Sequence, residues 1–145
     1  MKETDERYTP KWIFDTLGLQ FDLDPCSPIG GIPYAPIKHY YTKDDDSLTK
    51  QWFGNIWLNP PFSQPKPFMQ KFMENAKGVV LIRLSQSQWA KDLWNNADGI
   101  LLNDKQLKFN RPDGKSMGIP QVTFLFAFGK ENAEALRNFT EYKVR

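Results

Sequence analysis

Four consecutive residues, Asn59-Pro60-Pro61-Phe62, combine hydrogen-bond acceptors, a stiff turn and an aromatic ring. An exocyclic amine such as that of adenine is a poor nucleophile, because its lone pair is conjugated with the ring. Acceptors that bind both of its N–H hydrogens localise that lone pair on nitrogen. The side-chain carbonyl of Asn59 and the backbone carbonyl of Pro60 could act as these acceptors, held in place by the two prolines. The tetrapeptide could therefore methylate an amine without a metal or a covalent intermediate.

The position of the motif favours chemistry over an ordinary turn. Asn and Pro are common in turns, so the tetrapeptide alone leaves both interpretations open. However, the apolar run Ile56-Trp57-Leu58 predicts a buried strand that ends at the motif, and a helical pattern follows it. Ligands bind at the carboxyl ends of strands in α/β sheets. Phe62 would add a face on which an extruded base stacks, a contact worth roughly 1–3 kcal/mol.

Short apolar runs alternate with helical patterns along the chain, which predicts an α/β sandwich with a mainly parallel sheet and helices on both faces. Thr9 is expected to cap the first helix, with Pro10 at its first position and Gly18 at its end. The predicted strands cover residues 19–23, 55–58, 79–82, 100–102, 121–128 and 142–144. The predicted helices cover residues 10–17, 67–76, 87–95 and 130–139. Residues 26–46 are predicted to be a long ordered loop, and residues 103–118 a mobile basic loop.

The composition indicates one domain spanning residues 1–145, with 40% hydrophobic and 14% aromatic residues to form a core. The net charge of +2 permits a nucleic-acid partner without requiring one. The single cysteine, Cys26, precludes an internal disulfide, and with one histidine, His39, we expect no metal site. An apolar leader and a long apolar run are both missing, which predicts a cytoplasmic protein.

Several motifs in order resemble the phage-type DNA N6-adenine methyltransferase family. Leu58-Asn59-Pro60-Pro61-Phe62-Ser63 is similar to the catalytic motif of amino methyltransferases, which have Asn or Asp, then Pro-Pro, then an aromatic residue. The segment 8–14, Tyr-Thr-Pro-Lys-Trp-Ile-Phe, is similar to the opening Thr-Pro helix of the family. The segment 21–27, Phe-Asp-Leu-Asp-Pro-Cys-Ser, is similar to its first strand and acidic turn. Further similarities are Asp46-Ser47-Leu48 with Trp52, Trp89, and Leu107-Lys108-Phe109.

The resemblance implies a Rossmann-like methyltransferase sandwich that uses S-adenosylmethionine to methylate N6 of adenine in DNA. It implies Asn59, Pro60, Pro61 and Phe62 as catalytic residues. A carboxylate at the end of the first strand could accept hydrogen bonds from the methionine ammonium or the ribose hydroxyls of the cofactor. Strand alternation puts Asp22 and Asp24 on one face, and Asp24 is better placed to bind the cofactor because it is nearer the end of the strand. The candidate cofactor-binding residues are Tyr8, Thr9, Pro10, Asp22, Asp24, Pro25, Ser27 and Asp46.

DNA binding requires that the target base be flipped or single-stranded, because a stacked base cannot reach a buried methyl donor. Tyr34, Tyr40 and Tyr41 could line the base pocket. We expect no separate target-recognition domain at this length, and a monomer or weak dimer, located in the host cytoplasm if the chain is phage-encoded. The candidate DNA-binding residues are Lys66, Lys105, Lys108, Arg111 and Lys115, with Lys71 as a further source of positive charge.

Two alternatives remain open from the sequence. The same motif logic serves methylation of other amines, namely cytosine N4, adenine in RNA and glutamine in proteins. The second alternative is a non-catalytic DNA-binding or decoy protein on the same fold. It is motivated by the turn Asp24-Pro25-Cys26-Ser27-Pro28, which lacks the glycines that many methyltransferases place there; glycines follow only at Gly30-Gly31.

Overall fold

The computed structural model describes residues 8–103, 107–110, 116–119, 122–139 and 143–144. Its first helix, α1 (Lys11–Leu17), ends at Gly18, whose φ of 65° lets its N–H donate to the carbonyl of Phe14. The prediction that Thr9 caps this helix was wrong, because Pro10 occupies the N-cap position with an extended ψ of 138° and no side chain caps the helix. Thr9 is instead fully buried.

The described part of the chain contains nine strands, which are β1 (Phe21–Asp24), β2 (Ile37–Tyr40), β3 (Ile56–Leu58), β4 (Gly78–Arg83), β5 (Gly99–Asn103), β6 (Leu107–Asn110), β7 (Ser116–Ile119), β8 (Thr123–Phe128) and β9 (Lys143–Val144). Seven of them form one sheet in the order β2-β1-β3-β4-β8-β5-β9. The other two, β6 and β7, pair with each other in a separate hairpin.

The sheet is mixed, so the prediction of a mainly parallel sheet holds only in part. The pairs β1–β2, β1–β3 and β3–β4 are parallel. Strand β8 lies between β4 and β5 and is antiparallel to both, and β9 is antiparallel to β5. Every residue of β8 is buried, because helices cover both faces of the sheet. A strand buried on both faces has a continuous apolar sequence whether it is parallel or antiparallel to its neighbours, so the sequence did not indicate its direction.

Two segments predicted to be loops contain strands. Strand β2 falls in the segment 26–46; it is an edge strand with mostly exposed side chains, so it lacks an alternating apolar pattern. The hairpin β6–β7 falls in the segment 103–118. The predicted helix 130–139 is shorter, since α4 (Lys130–Ala135) passes into a 3₁₀ turn, Leu136–Asn138.

Helices cover both faces of the sheet, as predicted. Helices α1 and α4 pack on one face, where Phe14 of α1 and Ala135 of α4 join a cluster around Trp57 and Leu125. Helices α2 (Lys66–Asn75) and α3 (Gln88–Asn96) pack on the other. No helix within the described ranges is long and apolar enough to cross a membrane.

A glycine brings β3 and β4 close together. Gly78 begins β4 with a φ of 148°, and a Cβ there would lie 2.0 Å from the carbonyl oxygen of Ile56 in β3. The residue before it, Lys77, accepts the N–H of Ile56 through its backbone carbonyl. The two strands pair in parallel register as far as Leu58, which lies opposite Val80, and the motif begins at the next residue.

Candidate active site

Three adjacent parallel strands, β1, β3 and β4, end at one edge of the sheet with chemically distinctive residues. Asp24 ends β1, Asn59 follows β3 directly and Arg83 ends β4. Leu23 lies opposite Ile56, so Asp24 is level with Trp57. Asn59 lies two residues further along, or ~7 Å at the usual rise of a strand. The fold thus brings the acidic turn and the Asn-Pro-Pro motif together.

Asn59 has an acceptor that nothing in the described residues satisfies. Its Oδ1 atom is buried and receives no hydrogen bond. Pro60 and Pro61 are buried, and the turn is closed by the N–H of Gln64, which donates to the carbonyl of Pro61 at 3.2 Å. The carbonyl of Pro60, the second expected acceptor, receives no backbone N–H in this part of the chain. The backbone of the described residues therefore donates no hydrogen bond to either of the two expected acceptors, and both can accept one from a ligand.

Two more buried polar atoms of the described residues lack partners: Oγ1 of Thr9 and Nε1 of Trp57. Trp57 lies within β3, and Asn59 follows that strand directly. The Tyr34 hydroxyl donates to the carbonyl of Thr9, and the Phe14 ring lies between Tyr34 and Trp57. An unsatisfied buried polar group costs about 1–3 kcal/mol, and native proteins tolerate few of them. Thr9 and Trp57 are thus linked through α1, and three unsatisfied polar atoms in this part of the fold are typical of a ligand site.

Asp24 carries the carboxylate at this edge. The residue is 2% exposed, and its Oδ1 accepts the N–H of Cys26 at 3.0 Å. Burial raises the pKa of Asp24 from 3.8 to about 7, against the opposing effect of the Cys26 hydrogen bond. An ammonium or hydroxyl donor would replace part of the lost solvation of this carboxylate. Asp24 is therefore chemically suited to hold a cationic or hydroxyl-bearing ligand.

A cavity of about 370 Å³ opens beside the motif. Pro60 and Phe62 form one wall. Arg83 ends β4, Ser85 lies two residues after it, and Trp89 comes from the first turn of α3. Its volume is within the range of small-ligand sites. Two aromatic side chains and a cation around a space of this size suit a nucleotide.

The match with known families now identifies the reaction class. The model of the DNA N-6-adenine-methyltransferase (Dam) family matches residues 1–124. The chain belongs to the Dam family. The matched region contains the buried Asp24, the Asn59 motif and every residue that lines the cavity. This confirms the resemblance noted in the sequence and indicates methylation of adenine N6 in DNA. No curated protein matches the chain.

The acidic turn of this Dam-family protein is held by Tyr41, the residue after β2, instead of by glycines. The N–H of Ser27 donates to the carbonyl of Tyr41, and the N–H of Tyr41 donates to the carbonyl of Asp24, both at 2.9 Å. Pro25 is buried, as is Ser27, whose hydroxyl donates to the carbonyl of Pro28. The turn therefore has a defined shape around the Asp24 carboxylate although it lacks glycine.

The structure separates the other predicted acidic ligands from Asp24. The carboxylate of Asp22 accepts the N–H of Asn55 at 2.7 Å, so it lies at the amino end of β3. Asp46 is exposed, has a φ of 51° and lines a different recess of about 100 Å³ with Thr42 and Gln64. Among the N-terminal candidates, Thr9 and Pro10 are buried and Tyr8 is half-buried, next to one another before α1.

None of the three tyrosines predicted for the base pocket lines the cavity of about 370 Å³. Tyr34 bonds to Thr9, Tyr40 is 45% exposed on β2, and the hydroxyl of Tyr41 donates to the carbonyl of Gln51. The cavity instead uses Arg83, Ser85, Ser87 and Trp89. Trp89 was noted in the sequence only as a similarity to the family, and Arg83, Ser85 and Ser87 were given no role, although Arg83 ends an apolar run next to the motif strand. Ligands bind at the carboxyl ends of strands in α/β sheets, and this rule indicates Arg83 as well as Asp24 and Asn59.

The candidate DNA-binding lysines are only partly within the described residues. Lys66 is exposed at the first position of α2, directly after the motif loop. Lys71 is held within the fold, since its ammonium donates to the carbonyl of Leu48 and lies 5.7 Å from the Trp52 ring centroid. Lys108 lies in β6. Lys105, Arg111 and Lys115 lie outside the described residues.

Proposed function

We propose that this Dam-family protein transfers a methyl group from S-adenosylmethionine to N6 of an adenine flipped out of DNA into the cavity of about 370 Å³. The observation that carries the proposal is the buried Oδ1 of Asn59, which has no donor among the described residues and directly precedes the cavity wall. Asn59 does not itself line the cavity, and an amino group held against its Pro60 wall would be the donor that this acceptor lacks. The adenine amine has two N–H hydrogens, one for Asn59 and one for the carbonyl of Pro60.

The residues of the motif then determine how the amine reacts. When bound, S-adenosylmethionine supplies an electrophilic methyl group on a sulfonium. Asn59 and Pro60 accept the two N6 hydrogens and turn the nitrogen lone pair toward the cofactor side. Phe62 stacks on the base and, with Trp89, keeps water away from the amine. The N6 nitrogen would bond to the methyl carbon as the methyl–sulfur bond breaks, which leaves S-adenosylhomocysteine as the second product. The extra N–H proton, whose bond is polarised by its acceptor, would then pass to solvent.

The residues near Asp24 fit the cofactor. A buried carboxylate with a raised pKa suits the methionine ammonium or a ribose hydroxyl, and the unsatisfied hydroxyl of Thr9 offers a second polar contact. We assign Tyr8, Pro10, Pro25 and Ser27 to the walls of the same site. Asp22 and Asp46 are the weaker candidates, because the first is bonded to Asn55 and the second lines another recess.

The rest of the proposal concerns the whole chain. One domain, a monomer or weak dimer, would bind DNA through Lys66 and the basic segment that holds Lys105, Lys108, Arg111 and Lys115. Target choice would then come from loops and from the hairpin β6–β7. A cytoplasmic location, in the host cell for a phage-encoded chain, gives access to DNA.

Product analysis tests the proposed reaction. The protein is incubated with labelled S-adenosylmethionine and single-stranded DNA, duplex DNA, RNA or a protein extract, and the labelled nucleosides or amino acids are identified by mass spectrometry. We expect N6-methyldeoxyadenosine from DNA. N4-methyldeoxycytidine, or a labelled RNA or protein product alone, would replace the proposal with another amine substrate. The absence of any product, together with no cofactor binding up to about 1 mM (weaker than about −4 kcal/mol), would leave a decoy protein.

Replacing Phe62 with alanine is expected to weaken DNA use more than chemistry. Loss of base stacking worth roughly 1–3 kcal/mol should raise KM for DNA by about 5-fold to 150-fold, with a smaller change in kcat. Steady-state methylation kinetics measure both constants. Phe53→Ala is the matched control, because Phe53 is exposed and contacts His39, away from the cavity. Equal effects of the two substitutions would show that Phe62 does not hold the base.

A further inference from the structure

Arg83 covers the ring on which the target base should stack. Its guanidinium carbon lies 4.4 Å from the centroid of the Phe62 ring, within cation–π distance. Arg83 is half-buried at the end of β4, and both residues line the cavity of about 370 Å³. A base and a guanidinium group cannot occupy one ring face together. Entry of adenine on this face therefore requires that Arg83 move.

The charge of Arg83 is not neutralised within the described part of the chain. The ion pair found there joins Lys11 and Asp15 on α1. A guanidinium retains its charge at all accessible pH values and binds phosphate through two parallel hydrogen bonds. Arg83 is thus a positive group at the mouth of a candidate nucleotide site, with no anionic partner among these residues.

Two hydroxyls lie on the same rim of the cavity. Ser85 and Ser87 both line it, and their Oγ atoms are 3.0 Å apart. The N–H of Ser87 also donates to Oγ of Ser85 at 3.2 Å, which fixes this short segment after β4. Most protein–DNA hydrogen bonds go to phosphate and sugar, and Arg and Ser are among the side chains that make them. Arg83, Ser85 and Ser87 therefore provide a guanidinium and two hydroxyls, the kinds of group that bind DNA phosphate.

We propose that Arg83 leaves the face of Phe62 when the target adenine enters and binds the DNA phosphate next to that adenine. The inference rests on the proposed function, since it takes the cavity as the site of the flipped base. Base stacking on an aromatic ring is at least as strong as a partly exposed cation–π contact, so the base can displace the guanidinium. The phosphate that arrives with the base then replaces the contact that Arg83 lost.

The salt dependence of DNA binding tests the charge contact. The probe is a fluorescent single-stranded oligonucleotide, with anisotropy measured over a range of salt concentrations in the presence of S-adenosylhomocysteine. Arg83→Gln is expected to reduce the slope of log Kd against log salt by about 0.7, as for the loss of one phosphate contact on single strands. Arg83→Lys keeps the charge and should retain the slope. Arg137→Gln is the matched control, because Arg137 is exposed on the 3₁₀ turn after α4, and it should also retain the slope.

A modified substrate tests the position of the contact. A neutral methylphosphonate replaces the phosphate on either side of the adenine that product analysis shows to be methylated. One of the two replacements should weaken binding to the wild type by about 10-fold and leave binding to Arg83→Gln unchanged, because the contact is already lost. Equal weakening of both proteins would overturn the proposal, as would an unchanged salt slope in Arg83→Gln. If no DNA is methylated while the slope of Arg83→Gln still falls, the proposed function fails but the DNA contact of Arg83 stands.

Discussion

Asn59→Ala is expected to lower methyl transfer by at least about 100-fold to 1,000-fold, the usual cost of removing one preorganised polar contact to a reacting group. The substitution removes the side-chain acceptor for one N6 hydrogen, so the amine lone pair stays conjugated with the ring. Cofactor affinity should remain nearly intact, because the proposed cofactor contacts are at Asp24 and Thr9. Single-turnover methylation measures the first effect, and calorimetry with S-adenosylmethionine measures the second.

Stability separates a catalytic Asn59 from a structural one. Its Oδ1 receives no hydrogen bond from the described residues, so Asn59→Ala should leave the free energy of unfolding unchanged or slightly raised. Asn55, just before the same strand, is the matched control. Its side chain donates to the carbonyl of Gln20 at 3.0 Å and exchanges hydrogen bonds with Asn132. Asn55→Ala should lower the free energy of unfolding by about 1–3 kcal/mol, while the folded protein keeps its transfer rate.

Asn59→Asp provides a conservative replacement, because related motifs have Asp at this position. It should retain more transfer than Asn59→Ala, since a carboxylate oxygen also accepts an N–H. If Asn59→Ala destabilised the fold and weakened cofactor binding to the same degree as it slowed transfer, Asn59 would be a structural residue.

The elements that position the site were predictable from sequence because they have strong patterns. The apolar run before Asn59 and the helical spacing of Phe68, Met69 and Phe72 define β3 and α2 with small boundary errors. Strand β2 was not predictable, because it is an exposed edge strand that pairs with β1 across a long connection. The direction of β8 was not predictable either, because a strand buried on both faces has a continuous apolar sequence in both parallel and antiparallel sheets.

The site was predictable in its motif and less so in its surroundings. The sequence placed Asp24 and Asn59 at the carboxyl edge of the sheet, because one ends and the other follows an apolar strand; their roles remain predictions. The contact of Arg83 with Phe62 depends on the register of β3 and β4, which no local pattern encodes. The different environments of Asp22 and Asp24 depend on Asn55, a residue more than thirty positions away from Asp22. Tertiary contacts of this kind determine which of two equivalent carboxylates is available for a ligand.

Asp24→Asn is expected to weaken S-adenosylmethionine binding and to remove its pH dependence. Burial raises the pKa of Asp24 to about 7, so the carboxyl is largely protonated at lower pH and cannot pair with an ammonium. Wild-type affinity should therefore rise with pH up to about 7, by as much as about tenfold per unit, and then level off. The neutral variant should bind about 10-fold to 100-fold more weakly above that pH, the usual value of a charge-assisted hydrogen bond. Calorimetry over a pH series measures both effects.

The same group should make the ligand-free protein less stable as the pH rises. The pKa of Asp24 is about 7 in the folded chain and 3.8 in the unfolded chain, so the folded state holds the proton more tightly. The stability that this proton contributes is complete below about pH 4 and is lost as the pH rises through about 7. A shift of about 3 units corresponds to about 4 kcal/mol. Asp24→Asn has no such loss, so its free energy of unfolding relative to the wild type should rise by up to about 4 kcal/mol over this range.

Urea unfolding at several pH values measures this difference, and Asp44→Asn, at an exposed loop position, is the control for removing one carboxylate. Asp24→Asn would thus stabilise the fold and weaken cofactor binding at the same time. That result would show that the wild-type protein retains the buried Asp24 charge although it lowers the free energy of unfolding. That combination is expected for a ligand-binding carboxylate, because a residue retained only for the fold would not destabilise it. If Asp24→Asn lowered stability at every pH, Asp24 would instead be a residue of the turn, and the cofactor site would have to be sought elsewhere.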